Sequence, residues 1–313
     1  MRTSVILSAA AASPRLLKAQ AALAPAVSAT QFTALRGDVG TFTGKGGTIG
    51  YLASKDALAV VDTQFPDTAV ICLKGIPGIG SRRIDATINT HHHGDHTGGN
   101  VVFKAASKEL VAQANVPKLQ FEAAQRAEAN VKLGTKLEPS QLVANQVYAD
   151  TTFTDVWRRE IGREIVTAEF RGPAHTAGDS VVIFEKANVV HMGDLVFNRL
   201  YPYVDRPGGA TVKGWVKSLE DCAAAYPADA IYIFGHGSPK FGVTGKRGDL
   251  LVMRDFFSAV LEHVGKQIAA GQDKSSIIAL ENMPGFPDFH TPLPNRLGMI
   301  LGATYDELTA KPA

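Results

Sequence analysis

Thr90-His91-His92-His93-Gly94-Asp95-His96 sets five metal-ligating side chains within six residues, directly behind the apolar run that begins at Ile84. On an extended backbone alternate side chains share a face, so His91 and His93 point one way and His92 the other. Gly94 lets the chain turn sharply, which returns Asp95 and His96 to the same opening. The stretch therefore offers two imidazoles to one ion, and a carboxylate and an imidazole to another. A zinc site needs three or four such ligands, and a catalytic one keeps a position open. A surface histidine cluster of the tag type would lack both the strand before it and the interleaved Asp95.

Three distant positions supply the missing ligands. His175 follows Gly172-Pro173, Asp194 follows Gly193 after Val189–Met192, and His236 lies between Gly235 and Gly237 after Ile231–Phe234. Each is a ligand type at the C-terminal end of an apolar run, beside glycine, where backbone can approach an ion closely. Singly, such a residue is more often a packed or capping side chain. Together with the first cluster they complete two three-ligand sets and one shared carboxylate.

The elements around these residues alternate. Thr41–Phe42, Thr48–Leu52, Ala57–Val61 and Ile84–Thr90 read as strands, as do Glu164–Phe170, Ser180–Phe184, Val189–Met192 and Ile231–Phe234. Asp67–Ile76, Ala114–Lys132 and Leu250–Ile268 read as helices, and Val212, Trp215, Leu219, Cys222 and Tyr226 fall on one helical face. Residues Thr135–Phe153 read as an irregular connection. Strands, helix, strand, twice over, predict an α/β fold of two packed sheets with helices outside.

In order and spacing, His91, His93, Asp95, His96, His175, Asp194 and His236 resemble the metallo-β-lactamase superfamily, and the resemblance spans nearly all of the chain beyond residue 30. It implies an αββα sandwich, two mixed sheets flanked by helices, with two metal ions, usually zinc, at the sheet edge. By that resemblance His91, His93 and His175 hold the first ion, Asp95, His96 and His236 the second, and Asp194 bridges both. Asp95 is also the candidate catalytic carboxylate. Asp62 resembles the family's early aspartate; with Thr90 and Thr97 it is expected to orient the ligand rings. His92, His191, His263 and His290 match no motif position and read as core or surface histidines.

Asp194 narrows the chemistry, because the true β-lactamase subclasses carry cysteine or serine there. The Asp-bridged pattern is similar to glyoxalase II, lactonases and phosphodiesterases. The reaction expected is hydrolysis of an ester-like acyl bond (lactone, thioester or lactam) by metal-bound hydroxide, with weak β-lactam turnover as a side activity. The rivals are a phosphodiesterase of the same fold and a mononuclear iron persulfide dioxygenase. A flavodiiron protein is disfavoured, since its pattern has Glu in place of His93. Tyr201, Tyr203 and Arg206, in the segment Asn198–Gly209, are the candidate substrate contacts.

Composition narrows the setting. With 45% hydrophobic and 20% charged residues over 313 positions, the chain is neither disordered nor a coiled coil. Lys plus Arg total 32 against 30 Asp plus Glu, and no basic run accompanies them, so a small-molecule substrate is expected and a nucleic-acid partner is not. Two cysteines, Cys72 and Cys222, are too few for a disulfide framework and read as buried small hydrophobes. Residues 1–29 read as a signal peptide: Arg2, the apolar run Val5–Ala12, and the small-residue pattern Ala26-Val27-Ser28-Ala29. That places residues 30–313 in one periplasmic or secreted domain, with a cytoplasmic protein as the alternative. No later segment approaches the roughly 18 apolar residues that span a membrane.

Overall fold

Four consecutive apolar residues, Leu58–Val61, form a strand buried on both faces, and the first sheet grows around it. The computed structural model describes residues 30–131, 137, 141–291 and 293–310. The expected signal peptide, residues 1–29, lies outside them. The first sheet runs β1 (Gln31–Ala34), β2 (Val39–Thr43), β3 (Ile49–Ala53), β4 (Leu58–Val61), β5 (Ala86–Asn89), β6 (Leu110–Gln113) and β7 (Thr151–Phe153), side by side in chain order. β1 to β4 form an antiparallel meander, and β4 to β7 are parallel. Parallel neighbours need crossovers. These are α1 (Pro66–Gly75), then α2 (Gly94–Thr97) with α3 (Asn100–Ala106), then α4 (Val116–Val131).

The second sheet takes β8 (Val156–Ile161), β9 (Glu164–Phe170), β10 (Ser180–Phe184) and β11 (Val189–His191) as antiparallel neighbours. β12 (Phe197–Asn198) and β14 (His236–Gly237) pair in a separate short ribbon, while β13 (Ile231–Ile233) runs parallel to β11 and carries β15 (Thr244–Gly245) at the edge. Four helices follow or interrupt these strands: α5 (Val212–Ala225), α6 (Arg247–Ala269), α7 (Lys274–Ile278) and α8 (Arg296–Thr309).

Strand alternation divides the core into three layers. In β4, Ala59 and Val61 face the second sheet, where they meet Val182, Phe184, Val189 and Ile233, while Leu58 and Val60 face Cys72 of α1 and Phe103 of α3. In β10 and β13, Val181, Ile183 and Tyr232 take the opposite side, against Trp215, Phe256, Phe257 and Ile300 of the C-terminal helices. Helices, sheet, sheet, helices is therefore the layer order, an αββα sandwich. Fully burying each large apolar side chain contributes about 1.5–3 kcal/mol, which is why both faces of both sheets are covered.

The expected strands and helices are present: Glu164–Phe170 and Ser180–Phe184 at the expected bounds, the others with ends moved by at most three residues. Two expectations need correction. Asp95 and His96 return to the opening through a helical turn, α2, whose first residue is Gly94. Of the expected irregular connection Thr135–Phe153, residues 135, 136 and 138–140 lie outside the described residues, and its end, Thr151–Phe153, is β7 at the edge of the first sheet.

Candidate metal centre

All the candidate ligands sit just beyond strand ends on one edge of the sandwich. His91 and His93 follow β5, and His175 lies in the β9–β10 loop. Asp194 sits in the turn Gly193–Leu195 after β11, and His236 opens β14 after β13. Glycines make the approach possible. Gly193 has φ +52°, and a Cβ there would press on Thr90 at 2.8 Å; a Cβ at Gly235 would overlap Asp194 Oδ1.

Each first-set imidazole has one nitrogen committed as a donor. His91 Nδ1 donates to Thr90 Oγ1 at 3.0 Å, and Thr90 in turn donates Oγ1–H and N–H to Asp62 at 2.8 and 2.7 Å. His175 Nδ1 donates to the Tyr203 carbonyl at 2.9 Å, and His93 Nε2 donates to Asp205 Oδ2 at 3.0 Å. Their remaining nitrogens, acceptors all, converge: His93 Nδ1 lies 3.1 Å from His91 Nε2 and 2.9 Å from His175 Nε2. Three lone pairs so placed repel one another unless a cation stands between them. Tetrahedral zinc with bonds of about 2.0–2.1 Å would separate its nitrogens by about 3.3 Å. The donor set fits a metal ion.

The second set is tied to the first through Asp194. Asp194 Oδ2 lies 3.5 Å from His175 Nε2 and 3.8 Å from His91 Nε2, while Oδ1 lies 3.1 Å from His96 Nε2. His236 Nε2 is 3.1 Å from Asp95 Oδ2 and 3.4 Å from Asp194 Oδ2. His96 Nδ1 donates to Asp62 at 2.7 Å, which turns Nε2 to the centre. His96 Nε2 and Asp194 Oδ1 are sealed from water yet out of line for a hydrogen bond. Buried polar atoms are nearly always satisfied, and a shared cation would satisfy both. The chain thus groups His91, His93, His175 and Asp194 in one set and Asp95, His96 and His236 in another, within ligand distance of each other.

Electrostatics separates the two sets. Burial, followed by neighbouring imidazoles, holds His91 well below the ordinary histidine range and takes His175 down to about 3. In the second set burial acts the same way but is outweighed by carboxylates. Asp194, Asp95 and Asp62 push His96 well up, and Asp194 with Asp95 raises His236 to about 10. Asp194 is in turn driven well below the usual carboxylate range by His96 and His236, against its own burial.

Thr90 and Asp62 hydrogen-bond to the rings of the candidate ligands His91 and His96, Asp62 from a left-handed backbone at φ +64°. Thr97 does not. Its hydroxyl donates to the carbonyls of His93 and His92, at 3.0 and 3.4 Å, bonding back across the α2 turn. Asp205 was not among the sequence candidates, although it holds His93 Nε2 and stands 3.2 Å from His92 Nε2. Only its place in a Pro/Gly-bounded loop marked it.

A cavity of about 540 Å³ opens over the centre, lined by His93, Asp95, Asp194 and His236 and by the apolar side chains Phe65, Phe197, Leu200 and Leu293. Tyr201 and Tyr203 also line it. The Tyr201 hydroxyl is occupied elsewhere, accepting from the Met283 N–H at 3.3 Å, and its ring packs on Phe256 and Phe289. Arg206 lies outside the cavity. Its guanidinium donates to the Ala210 carbonyl at 2.7 Å and reaches Glu307 at 3.5 Å, so it ties the loop to α8.

The metallo-β-lactamase superfamily profile matches residues 43–236, more than half of the chain and the span that carries every candidate ligand. The chain belongs to the metallo-β-lactamase superfamily. Among solved structures, a metallo-β-lactamase from Pontibacter korlensis is 17% identical with a TM-score of 0.55, over 73% of this chain and 99% of that one. The stereoselective inverting sec-alkylsulfatase from Pseudomonas sp. is 14% identical with a TM-score of 0.66, over 90% of this chain. The present chain spans half the length of that sulfatase. A metallo-β-lactamase from Erythrobacter litoralis is likewise 14% identical, with a TM-score of 0.55, over 73% of this chain and 96% of that one. At these identities the likeness is one of fold. Superfamily members are metal-dependent hydrolases, and this member has the His/Asp groups for a metal.

Proposed function

We propose that this superfamily member is a hydrolase with two zinc ions per chain that cleaves an ester-like acyl bond in a small molecule: a lactone, a thioester or a lactam. The observation that carries the reading is Asp194, whose two oxygens face the two ligand sets. Two divalent ions close together repel, and an anionic bridge lowers that cost. When bound, such a pair supplies a water of lowered pKa and a Lewis acid for the scissile carbonyl.

The remaining work falls to the chain's own side chains. Thr90, Asp62, Asp205 and the Tyr203 carbonyl hold the imidazole rings, so the centre is preorganised before substrate arrives. Asp95, which lines the cavity, is the carboxylate we assign to take a proton from the attacking water and return it to the leaving group. Phe65, Phe197, Leu200 and Leu293 exclude water from the acyl body. The pattern Ala26–Ala29 supports export to the periplasm or outside the cell; the cleaved or intact N-terminus of protein from its native host tests it.

The test of the reaction is a substrate panel on zinc-loaded protein: lactone, thioester, β-lactam, sulfate ester and phosphodiester, with oxygen uptake on glutathione persulfide alongside. Zinc-dependent turnover of the acyl substrates is expected, with β-lactams slowest. Turnover of only the phosphodiester or sulfate ester, or oxygen uptake with iron, overturns the reading.

A further inference from the structure

Arg296, the first residue of α8, lies outside the span matched by the superfamily profile, yet it lines the same cavity as Asp95, Asp194 and His236. It is the one lysine or arginine in that lining among the described residues. The guanidinium lies over the Tyr203 ring, 5.2 Å from its centroid, and is half-buried. Among the described residues no carboxylate pairs with it, whereas nearby Arg199 has Asp249 at 2.9 Å and Arg206 has Glu307. Burial pulls its pKa down, and Tyr203 is the one group acting the other way. A desolvated cation without a counter-ion is costly. The acids of the cavity do not relieve it, since Asp95 and Asp194 are committed to His96 and His236. The rest of the lining offers no further acid: Gln141, Thr291 and the two tyrosines are neutral, and Phe65, Phe197, Leu200 and Leu293 are apolar.

We propose that Arg296 anchors a carboxylate carried on the apolar body of the substrate, apart from the bond that is cleaved. The inference rests on the acyl-hydrolase reading for the bond and adds the class of molecule that bears it. A guanidinium presents a planar fork that matches a carboxylate in two parallel hydrogen bonds. The Tyr203 ring packs against that fork. The same residue packs on His93, with ring centroids 5.6 Å apart, and its carbonyl receives His175 Nδ1–H. One residue thus links the anchor to the first ligand set, which fixes how far the carboxylate sits from the reacting group. Phe65, Phe197 and Leu200 enclose the apolar body between them.

The test compares 4-phenylbutyrate with 4-phenylbutyramide, two probes of one shape that differ in charge, by calorimetry on metal-stripped protein. Wild-type protein is expected to prefer the acid by about tenfold or more, the range of a charge-assisted hydrogen-bonded pair. Arg296→Gln removes that preference, and Arg296→Lys, which keeps the charge and loses the fork, retains part of it. On zinc-loaded protein the ratio of kcat/KM for a carboxylate-bearing ester over its neutral amide analogue collapses in Arg296→Gln, mainly through KM. Equal affinity of wild-type protein for acid and amide, or a preference that survives in Arg296→Gln, overturns the anchor. Because His236 lines the same cavity, the assignment to Arg296 rests on the loss of the preference in Arg296→Gln, and the part retained by Arg296→Lys guards against a variant that merely folds poorly. Acid preference without acyl turnover would leave the anchor standing and remove the reaction assigned to it.

Discussion

Asp205 fixes His93 from 112 residues away in sequence, and His93 is the ring on which the first ligand set converges. Asp205→Ala is expected to weaken metal binding by about 10–100-fold, the usual effect of removing a ligand's outer partner. Competition with a chelator of known affinity measures it, and Asp205→Asn, which can still accept from Nε2, should lose less. The candidate ligands were legible because they are histidines and aspartates gathered just after apolar runs, several of them beside or close to a glycine. Asp205 was not, since neither spacing nor periodicity connects it to His93. Arg206 misled for a related reason: an arginine near the site on paper is free to turn away, and Glu307 turns it. The thiols behave as their helical positions implied. Burial pushes Cys222 up to about 12 and raises Cys72 as well, so both stay protonated at pH 8 and iodoacetamide should label neither until the chain is unfolded. Folded-state pKa values above the unfolded ones contribute stability that is full below about pH 9 and fades as the pH climbs toward 12.

Elements place these side chains through tight backbone passages. The turn after β11 depends on Gly193, whose positive φ and contact with Thr90 leave no room for a side chain. Gly193→Ala should cost about 1–2 kcal/mol from backbone strain alone, lowering Tm. It should also weaken metal binding, because Thr90 holds His91; parallel melting curves and metal titrations separate the two effects. The outer helices carry a different risk. Trp215 is fully buried against Phe257, and Trp215→Ala should destabilise by about 3–5 kcal/mol, visible in denaturant unfolding. Strands such as Leu58–Val61 and Ser180–Phe184 were legible as continuous apolar runs, the mark of strands covered on both faces. The four-residue helix α2 was not, being too short for a period. α8 escaped too, since Gly298 and Gly302 punctuate a face that only packing against its neighbours makes helical.

At the scale of the whole molecule, two sheets and their helices hold a dense cluster of like groups that a cation would pacify. Without metal, His96 and His236 hold protons at neutral pH, because carboxylates raise both and take His236 to about 10. Metal uptake should therefore release protons, read from the buffer dependence of the binding enthalpy, and affinity should fall as the pH falls. The same raised values give the metal-free protein stability that is full below about pH 6.5 and is lost as the pH rises toward 10, so its Tm should drop on the alkaline side. Zinc-loaded protein, whose histidines are already deprotonated, should not share that drop. No described helix is long and apolar enough to cross a membrane. The most direct test of the joined centre is metal content per chain by elemental analysis, for native protein and for the His175→Ala and His236→Ala variants. Two zinc ions in native protein, with about one lost in each variant, is the result expected; one iron and no zinc in native protein would contradict it.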